Sequence, residues 1–494
     1  MPSNVLMENA GRGACDEILA LFAGHLPPRL KVAVVCGTGN NGGDGYVVAR
    51  RLMLLSARVQ VLALAEGDRL RGDALANYQA FRQIGGRIQT FSADAQGASD
   101  ALDGADLVVD ALFGTGVDRE VCGAPRQLIE LMNRAHGRKI ALDLPSGLDA
   151  DSGRVHGLAV RADLTVTFAA HKLGLLTPAG LAQSGRVVVQ DIGVPLESID
   201  GVGESAWLVE GADVARAVPR RSANAHKASS GRVLVLAGSR GKTGAALLVA
   251  RGALRAGAGL VTIASWPDAL PALSQGALEA MTASLDPERP EKNLGPLLEA
   301  ADVVAIGPGF GLDDAARSVV ERVLLEYPGT VVADADALTH FSGRLAALRA
   351  AKRLVLTPHP GELGRLLGSD ARAIEADRFG ALTRAVDESS ATVLLKGPHT
   401  LVGTPGEKPR IGPASTPALA TGGAGDVLCG VISGLACVVD PFVAAWAGVW
   451  IHGRAAASWS ADTGSDRGLL ASEVADRIPR ALAELSALPT ALTD

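Results

Sequence analysis

Two doubly wound α/β domains in tandem are predicted for this 494-residue chain, on three observations. Strand-length apolar runs alternate with helix-length segments throughout, the pattern of parallel sheets joined by crossover helices. The length exceeds the roughly 250–300 residues that a single hydrophobic core usually serves. Glycine-rich turns, drawn from 59 glycines, repeatedly follow the apolar runs. Open α/β sheets hold their ligands outside such strand ends.

The first domain, residues 1–205, reads as a Rossmann-like three-layer αβα unit. Strands are expected near Lys31–Cys36, Arg58–Ala63, Asp106–Asp110, Lys139–Asp143 and Ala162–Phe168, with helices such as Gly45–Leu55 and Ala74–Ile84 between them. The stretch Asp191–Ser205 mixes Gly, Pro, Ser and acidic residues and reads as the linker. The second domain, residues 206–494, repeats the alternation. Its strands fall at Arg232–Ala237, Leu260–Ala264, Asp302–Ile306, Thr330–Ala333, Arg353–Thr357 and Thr392–Leu395, and a helical tail runs from Gly423 to Leu485.

Composition removes several function classes. Hydrophobic residues are 48% of the chain, enough for buried cores, and the net charge is −6. No basic run is present and aromatics are 3%, so a nucleic-acid surface built on phosphate tracking or base stacking is not expected. Cys15, Cys36, Cys122, Cys429 and Cys437 show no metal-ligand spacing and read as free thiols of a reducing compartment. The apolar stretch Gly430–Trp450 is broken by Asp440-Pro441 and reads as two buried helices, not a membrane span. Met1–Leu21 lacks the pattern of an export signal. A cytoplasmic protein is expected.

In the first domain the segment Gly37-Thr-Gly39-Asn40-Asn41-Gly42-Gly43-Asp44-Gly45 follows a strand and opens a helix. It fits GxGxxG formally, but no acidic residue stands at the end of the next strand, where a dinucleotide fold wants one. The amides and the carboxylate inside the loop suit a cation or a polar ring. Asp110-Ala-Leu-Phe-Gly114-Thr-Gly116 and Asp143-Leu-Pro145-Ser146-Gly147 repeat the layout, an acid at a strand end followed by a turn. Asn41, Asp110 and Ser146 would then converge on one crevice. Two neutral oxygens and one carboxylate suit a hard monovalent cation better than zinc.

These motifs, with Leu6-Met-Glu-Asn-Ala-Gly11 upstream, resemble the NAD(P)H-hydrate epimerase family over about residues 4–195. The resemblance implies that Asn40, Asn41, Gly42, Gly43 and Asp44, with Gly114, Thr115, Gly116, Val117, Asp118, Arg119 and Glu120, line a hydrated nicotinamide nucleotide. Asp143 would contact the same ligand and serve as acid or base, and Asn41, Asp110 and Ser146 would hold potassium. Only five residues precede Leu6, where the family carries a further helix, so either the start lies too late or part of the domain's edge is missing.

In the second domain Thr421-Gly422-Gly423-Ala424-Gly425-Asp426 opens an apolar helix. Glycine amides at a helix start attract anions, and an Asp in that turn can take a hydroxyl proton during phosphoryl transfer. Lys396-Gly397-Pro398-His399-Thr400 ends a strand in a turn that suits a nucleotide. Thr357-Pro-His359-Pro-Gly361-Glu362 sets a His at another strand end, and Gly238–Ala245 and Gly307–Gly311 follow two more. The order of these motifs looks like the ribokinase-like superfamily. Within it, TPHPGE, Asp334–Thr339 and the pair His226-Lys227 resemble the ADP/ATP-dependent NAD(P)H-hydrate dehydratase family over about residues 206–490.

The resemblance implies that Lys396, Gly397, Pro398, His399, Thr400 and Gly425 bind the adenine nucleotide. Ala245, Gly309, Gly311, His359 and Asp426 would face the hydrated dinucleotide, with Asp426 as catalytic base and magnesium on the transferring phosphate. Lys242-Thr243 stands where many members carry a Tyr. ADP or ATP, NADHX and NADPHX are the implied small-molecule partners, and the resemblance suggests a homo-oligomer. The runner-up is a ribokinase-like small-molecule kinase fused to a nucleotide-binding module, and a third reading makes the first domain catalytically silent.

Overall fold

A computed structural model describes residues 1–91, 96–195, 197–199 and 205–487. The chain divides into two compact units, Met1–Glu204 and Ser205–Asp494. The predicted linker Asp191–Ser205 lies partly outside the described residues, at 196 and 200–204.

The first unit is built on a seven-stranded sheet. Its strands are β1 (Lys31–Cys36), β2 (Arg58–Ala63), β3 (Arg87–Thr90), β4 (Leu107–Ala111), β5 (Arg138–Leu142), β6 (Leu164–Phe168) and β7 (Arg186–Gln190). They lie in the order β3-β2-β1-β4-β5-β6-β7, and every neighbouring pair is parallel. The direction of winding reverses between β1 and β4, the switch point at which open α/β sheets bind their ligands. β1 and β4 carry almost nothing but buried Val, Ala and Leu, as strands covered on both faces must. One layer of the core packs Ala14, Ile18, Tyr46 and Leu52 on the sheet, and the other packs Leu102, Leu128 and Met132.

The first helix spans Ser3–Ala20 and already includes the Leu6–Gly11 segment. The glycine-rich turn after β1 is shorter than the sequence suggests. The helix begins at Asn40, not near Gly45, so Asn40–Asp44 form its first turn. Helix propensity argues against such a start, but tertiary packing overrides it. A Cβ on Gly42 would come 2.1 Å from Gly37 O, and one on Gly37 would come 1.9 Å from Leu112 O. Only glycine lets these two backbones approach, and that approach pulls the helix start into the crevice.

The second unit has a ten-stranded sheet. Its strands are β8 (Trp207–Leu208), β9 (Arg232–Leu236), β10 (Leu260–Ser265), β11 (Met281–Ser284), β12 (Val303–Ile306), β13 (Thr330–Ala333), β14 (Leu354–Leu356), β15 (Thr392–Leu395), β16 (Leu401–Gly403) and β17 (Arg410–Ile411). The order is β11-β10-β9-β12-β13-β14-β15-β16-β17-β8, parallel as far as β15 and antiparallel across β15-β16 and β16-β17. Winding reverses between β9 and β12. Gly430–Trp450 falls on two helices, Ala424–Leu435 and Pro441–Thr463, with Asp440 capping the second through Phe442 N at 2.9 Å. No helix among the described residues is long and apolar enough to cross a membrane.

Candidate functional site

In the first unit, Asn41, Asp110 and Ser146 meet. Asp110 ends β4, fully buried. Its Oδ1 accepts from Ser146 Oγ at 2.6 Å and its Oδ2 from Ser146 N at 2.8 Å. Phe113 N donates to Ser146 Oγ at 2.8 Å, and Asn41 Nδ2 donates to Phe113 O at 2.8 Å. This leaves the buried Asn41 Oδ1 with no hydrogen-bond partner. A buried acceptor without a donor costs free energy, so an oxygen aimed into such a pocket suits a cation. Burial pushes the Asp110 carboxyl up to about 6, although its bonds to Ser146 pull the other way.

Asp143 follows β5 with φ of +63°, a left-handed conformation that a residue other than glycine seldom adopts. Its Oδ1 accepts from Lys172 Nζ at 2.5 Å, and Lys172 also donates to Thr167 Oγ1 at 3.0 Å and Phe168 O at 2.7 Å. A Cβ on Gly114 would stand 3.4 Å from Asp143 Oδ2 and 3.5 Å from Asn41 Cβ, so three loops share one wall. Burial, with the nearby Asp143 charge, pushes the Asp44 carboxyl well above the usual range. The remaining turn residues sit at the rim. Thr115, Asp118, Arg119 and Glu120 are exposed, and Gly116 faces open space. Lys172 went unnoticed in the sequence, since nothing local links it to an acid 29 residues away.

In the second unit Asp426 lies in the first turn of the helix Ala424–Leu435, after Gly423 with φ of +87°. Lys396, one residue past β15, donates from Nζ to Asp334 Oδ1 at 2.6 Å. Asp334 is buried at the end of β13, and Ala335 beyond it holds φ of +50°. A Cβ on Gly425 would lie 3.4 Å from Lys396 Nζ and 3.9 Å from Asp334 Oδ2, which brings the glycine turn onto this ion pair. Burial and the Asp334 charge push the Asp426 carboxyl up to about 6, against the pull of Lys396.

The other predicted contacts surround this centre. A Cβ on Gly309 would come 3.4 Å from Ala245 Cβ, and Gly311 N donates to Asp336 Oδ2 at 3.0 Å. His359 is exposed; its Nδ1 accepts from Gly361 N at 3.0 Å, while Glu362 Oε2 accepts from His359 N at 2.8 Å. Lys396 N donates to Pro358 O at 2.9 Å, tying the two turns.

Two expected nucleotide contacts turn inward. His399 is buried with Nδ1 2.7 Å from Gly412 O, and Thr400 Oγ1 donates to Gly397 O at 3.0 Å. Their side chains hold the turn's shape, while Lys396, Gly397 and Pro398 remain at least partly exposed. Beneath the turn lies Arg378, buried, whose Nη2 donates to Lys396 O at 3.0 Å and Leu395 O at 3.3 Å. Nothing local in the sequence marks Arg378 for this place. The His226-Lys227 pair precedes β9 and so lies at the amino-terminal end of the strands, opposite these turns.

Each unit thus presents charged groups at the carboxyl ends of the strands of a doubly wound sheet, and the second adds a glycine turn at a helix start, where backbone amides attract anions. This defines a two-domain α/β enzyme of nucleotide chemistry. Residues 233–480 match the family described as NAD(P)H-hydrate dehydratase, and residues 3–174 match that described as YjeF-related protein N-terminus. A bifunctional NAD(P)H-hydrate repair enzyme from Moorella thermoacetica is 42% identical, over 98% of this chain and 93% of its own. One from Coxiella burnetii is 38% identical over 95% and 93%. The crystal structure of an ADP/ATP-dependent NAD(P)H-hydrate dehydratase from Bacillus subtilis, co-crystallised with ATP/Mg2+, is 29% identical and superposes with a TM-score of 0.51, covering 57% of this chain and 100% of that one. The chain belongs to the family of bifunctional NAD(P)H-hydrate repair enzymes.

Proposed function

We propose that the chain repairs hydrated NADH and NADPH in two steps, with the first unit epimerising R- and S-NAD(P)HX and the second dehydrating the S form at the expense of ADP or ATP. The observation that carries this is the Asp426 carboxylate in a glycine turn beside the Lys396–Asp334 pair, 2.6 Å apart. Asp426, half-buried and titrating at about 6, is ionised at neutral pH and accepts the proton of the ring hydroxyl. The hydroxyl oxygen takes the terminal phosphoryl group, and AMP or ADP leaves. The ring nitrogen then pushes its electron pair toward the adjacent carbon as phosphate departs with the oxygen. Loss of a proton from the next carbon restores the reduced nicotinamide. Phosphate leaves far more readily than hydroxide, which is why a kinase-like site can perform a dehydration.

The free N–H groups before Asp426 and the Lys396 ammonium stabilise charge on the transferring phosphoryl group. No cluster of three metal-ligating side chains occurs among the described residues. Magnesium would accompany the donor phosphates, whose charge it would neutralise.

In the first unit potassium would be held by Asn41 Oδ1, Asp110 and Ser146, where it supplies fixed positive charge beside the substrate. The unpartnered Asn41 oxygen supports that fit. Asp143 and Lys172 act on the hydroxylated carbon next to the ring nitrogen: the ammonium hands a proton to the departing hydroxyl, which leaves as water, and the carboxylate stabilises the ring cation; water then adds to the other face of that carbon, and the proton it sheds re-protonates Lys172. Asn40, Gly42 and Gly43 present the helix start to the nucleotide, and Gly114–Glu120 closes its rim. Five free cysteines support residence in the reducing cytoplasm.

Incubation with S-NADHX and ADP tests the main claim. NADH absorbance should appear together with AMP and phosphate. A stable phosphorylated product without NADH would replace this reading with that of a small-molecule kinase.

A further inference from the structure

The long helix Pro441–Thr463 packs on the helix Ala424–Leu435, whose first turn carries Asp426. The two come close, for a Cβ on Gly448 would stand 2.8 Å from Ile432 Cγ1. The same long helix also bonds the approach to the glycine turn, Thr416 Oγ1 lying 2.9 Å from Ser460 Oγ. One helical turn beyond Gly448 stands His452, on the same helix face, since residues four apart share a side. His452 is only 6% exposed, and its Nε2 is buried without a hydrogen-bond partner. An apolar side chain would fill this place without that cost, so a polar ring here needs a reason.

The ring's one partner is the glycine turn: the imidazole donates to the Ala424 carbonyl. Burial pushes the imidazole down to about 4, against the pull of that bond and with the help of the Lys396 charge. At neutral pH the ring is therefore uncharged and carries a single N–H. With Nε2 unpartnered, that N–H is on Nδ1. The Ala424 carbonyl and the Gly425 N–H belong to one planar trans peptide and point in opposite directions. A donor fixed on the carbonyl side fixes where the N–H points, and it polarises the peptide so that the N–H donates more strongly. A carbonyl has two lone pairs, so Ala424 can take this proton beside a helical one. Gly425 lies on the charged side, where its Cβ would be 3.4 Å from Lys396 Nζ and 3.9 Å from Asp334 Oδ2.

We infer that His452 is a positioning residue of the dehydration site: from beneath the turn it anchors the Ala424 carbonyl and so aims the Gly425 N–H at the transferring phosphoryl group. It touches neither substrate nor donor. Its neutral state is part of the role, because an imidazolium would set a second buried cation beside Lys396.

This inference rests on the dehydratase reading, and the test separates the two. NADH formation from S-NADHX and ADP is followed for the full chain and three variants. His452→Phe fills the space without an N–H. Its kcat should fall about 10–100-fold while KM for ADP and for S-NADHX stays within about threefold, because the aimed amide acts on charge that develops in the transition state. His452→Asn sets an amide N–H where Nδ1 stands and should recover kcat to within about threefold of wild type, whereas His452→Gln, whose amide stands where Nε2 does, should fall with the phenylalanine variant. A residue that merely packs would move the melting transition and not separate Asn from Gln. Wild-type kcat in His452→Phe, or equal kcat in His452→Asn and His452→Gln, overturns the inference, and the second comparison decides it even where His452→Phe does not fold. A wild-type chain that forms no NADH overturns the dehydratase reading itself.

Discussion

The two units share a winding order and differ in what they do with it. In each sheet the first seven strands to form a parallel array follow the sequence 3-2-1-4-5-6-7, with a crevice where the direction reverses. In the first unit the carboxylate at the fourth strand, Asp110, is held by a hydroxyl and an amide of Ser146. In the second the carboxylate at the fifth strand, Asp334, is held by the ammonium of Lys396. In the proposed function the first arrangement, a cluster of buried oxygens, would hold a small cation. The second, a balanced ion pair under a glycine turn, would face a phosphate. Topology supplies the place, and turn residues choose the ligand.

That contrast can be broken most sharply at Asp426. Asp426→Ala should lower dehydration about 10²–10⁴-fold by removing the proton acceptor, while epimerisation of R-NADHX continues at the wild-type rate. Loss of both activities in a folded protein would mean that the units do not carry separate sites. Asp110→Ala makes the reciprocal cut. Epimerisation and its activation by potassium should fall on the order of 10–100-fold, with dehydration unchanged.

Arg378 sharpens the comparison from beneath. Arg378→Met leaves the Leu395 and Lys396 carbonyls without their donor, a cost of about 1–3 kcal/mol per buried group. The melting transition of the second unit should drop and KM for ADP should rise, with Arg378→Lys recovering part of both. An unchanged KM for ADP in the folded variant would show that the turn keeps its shape unaided.

The smallest effect is in the pH profile. A base must be deprotonated to act, so kcat/KM for dehydration should fall about tenfold per pH unit below the Asp426 value of about 6 and level off above it. Cation affinity of the first unit should weaken over the same range, because Asp110 also titrates at about 6. Potassium titrations at several pH values would expose a cation site indifferent to that carboxylate.

Much of the fold is legible because its signal is local. β1, β2, β13 and β15 begin and end where the apolar runs do. β7 holds a three-valine run that the reading of the sequence passed over, and β3, β8, β11, β16 and β17 carry weaker marks. They are short, polar or half-exposed strands at or near sheet edges, recruited by a neighbour more than by their own residues. The strand expected at Lys139–Asp143 stops at Leu142, because Asp143 turns left-handed to meet Lys172. His399 and Thr400 belong to a recognisable turn, yet their side chains point into the protein, a direction that spacing alone does not reveal.

By itself the sequence determined the alternation of strands and helices, the glycine turns at their ends and the acids, amides and lysine that those turns carry. These follow from residue neighbours a few positions apart, where periodicity and backbone freedom act. Tertiary structure alone decided the partners: Ser146 for Asp110, Lys172 for Asp143, Asp334 for Lys396, and Arg378 under the turn after β15. Those pairings span tens of residues and exist only once the sheets have closed. They also set which carboxylates are buried, and hence which resist ionisation.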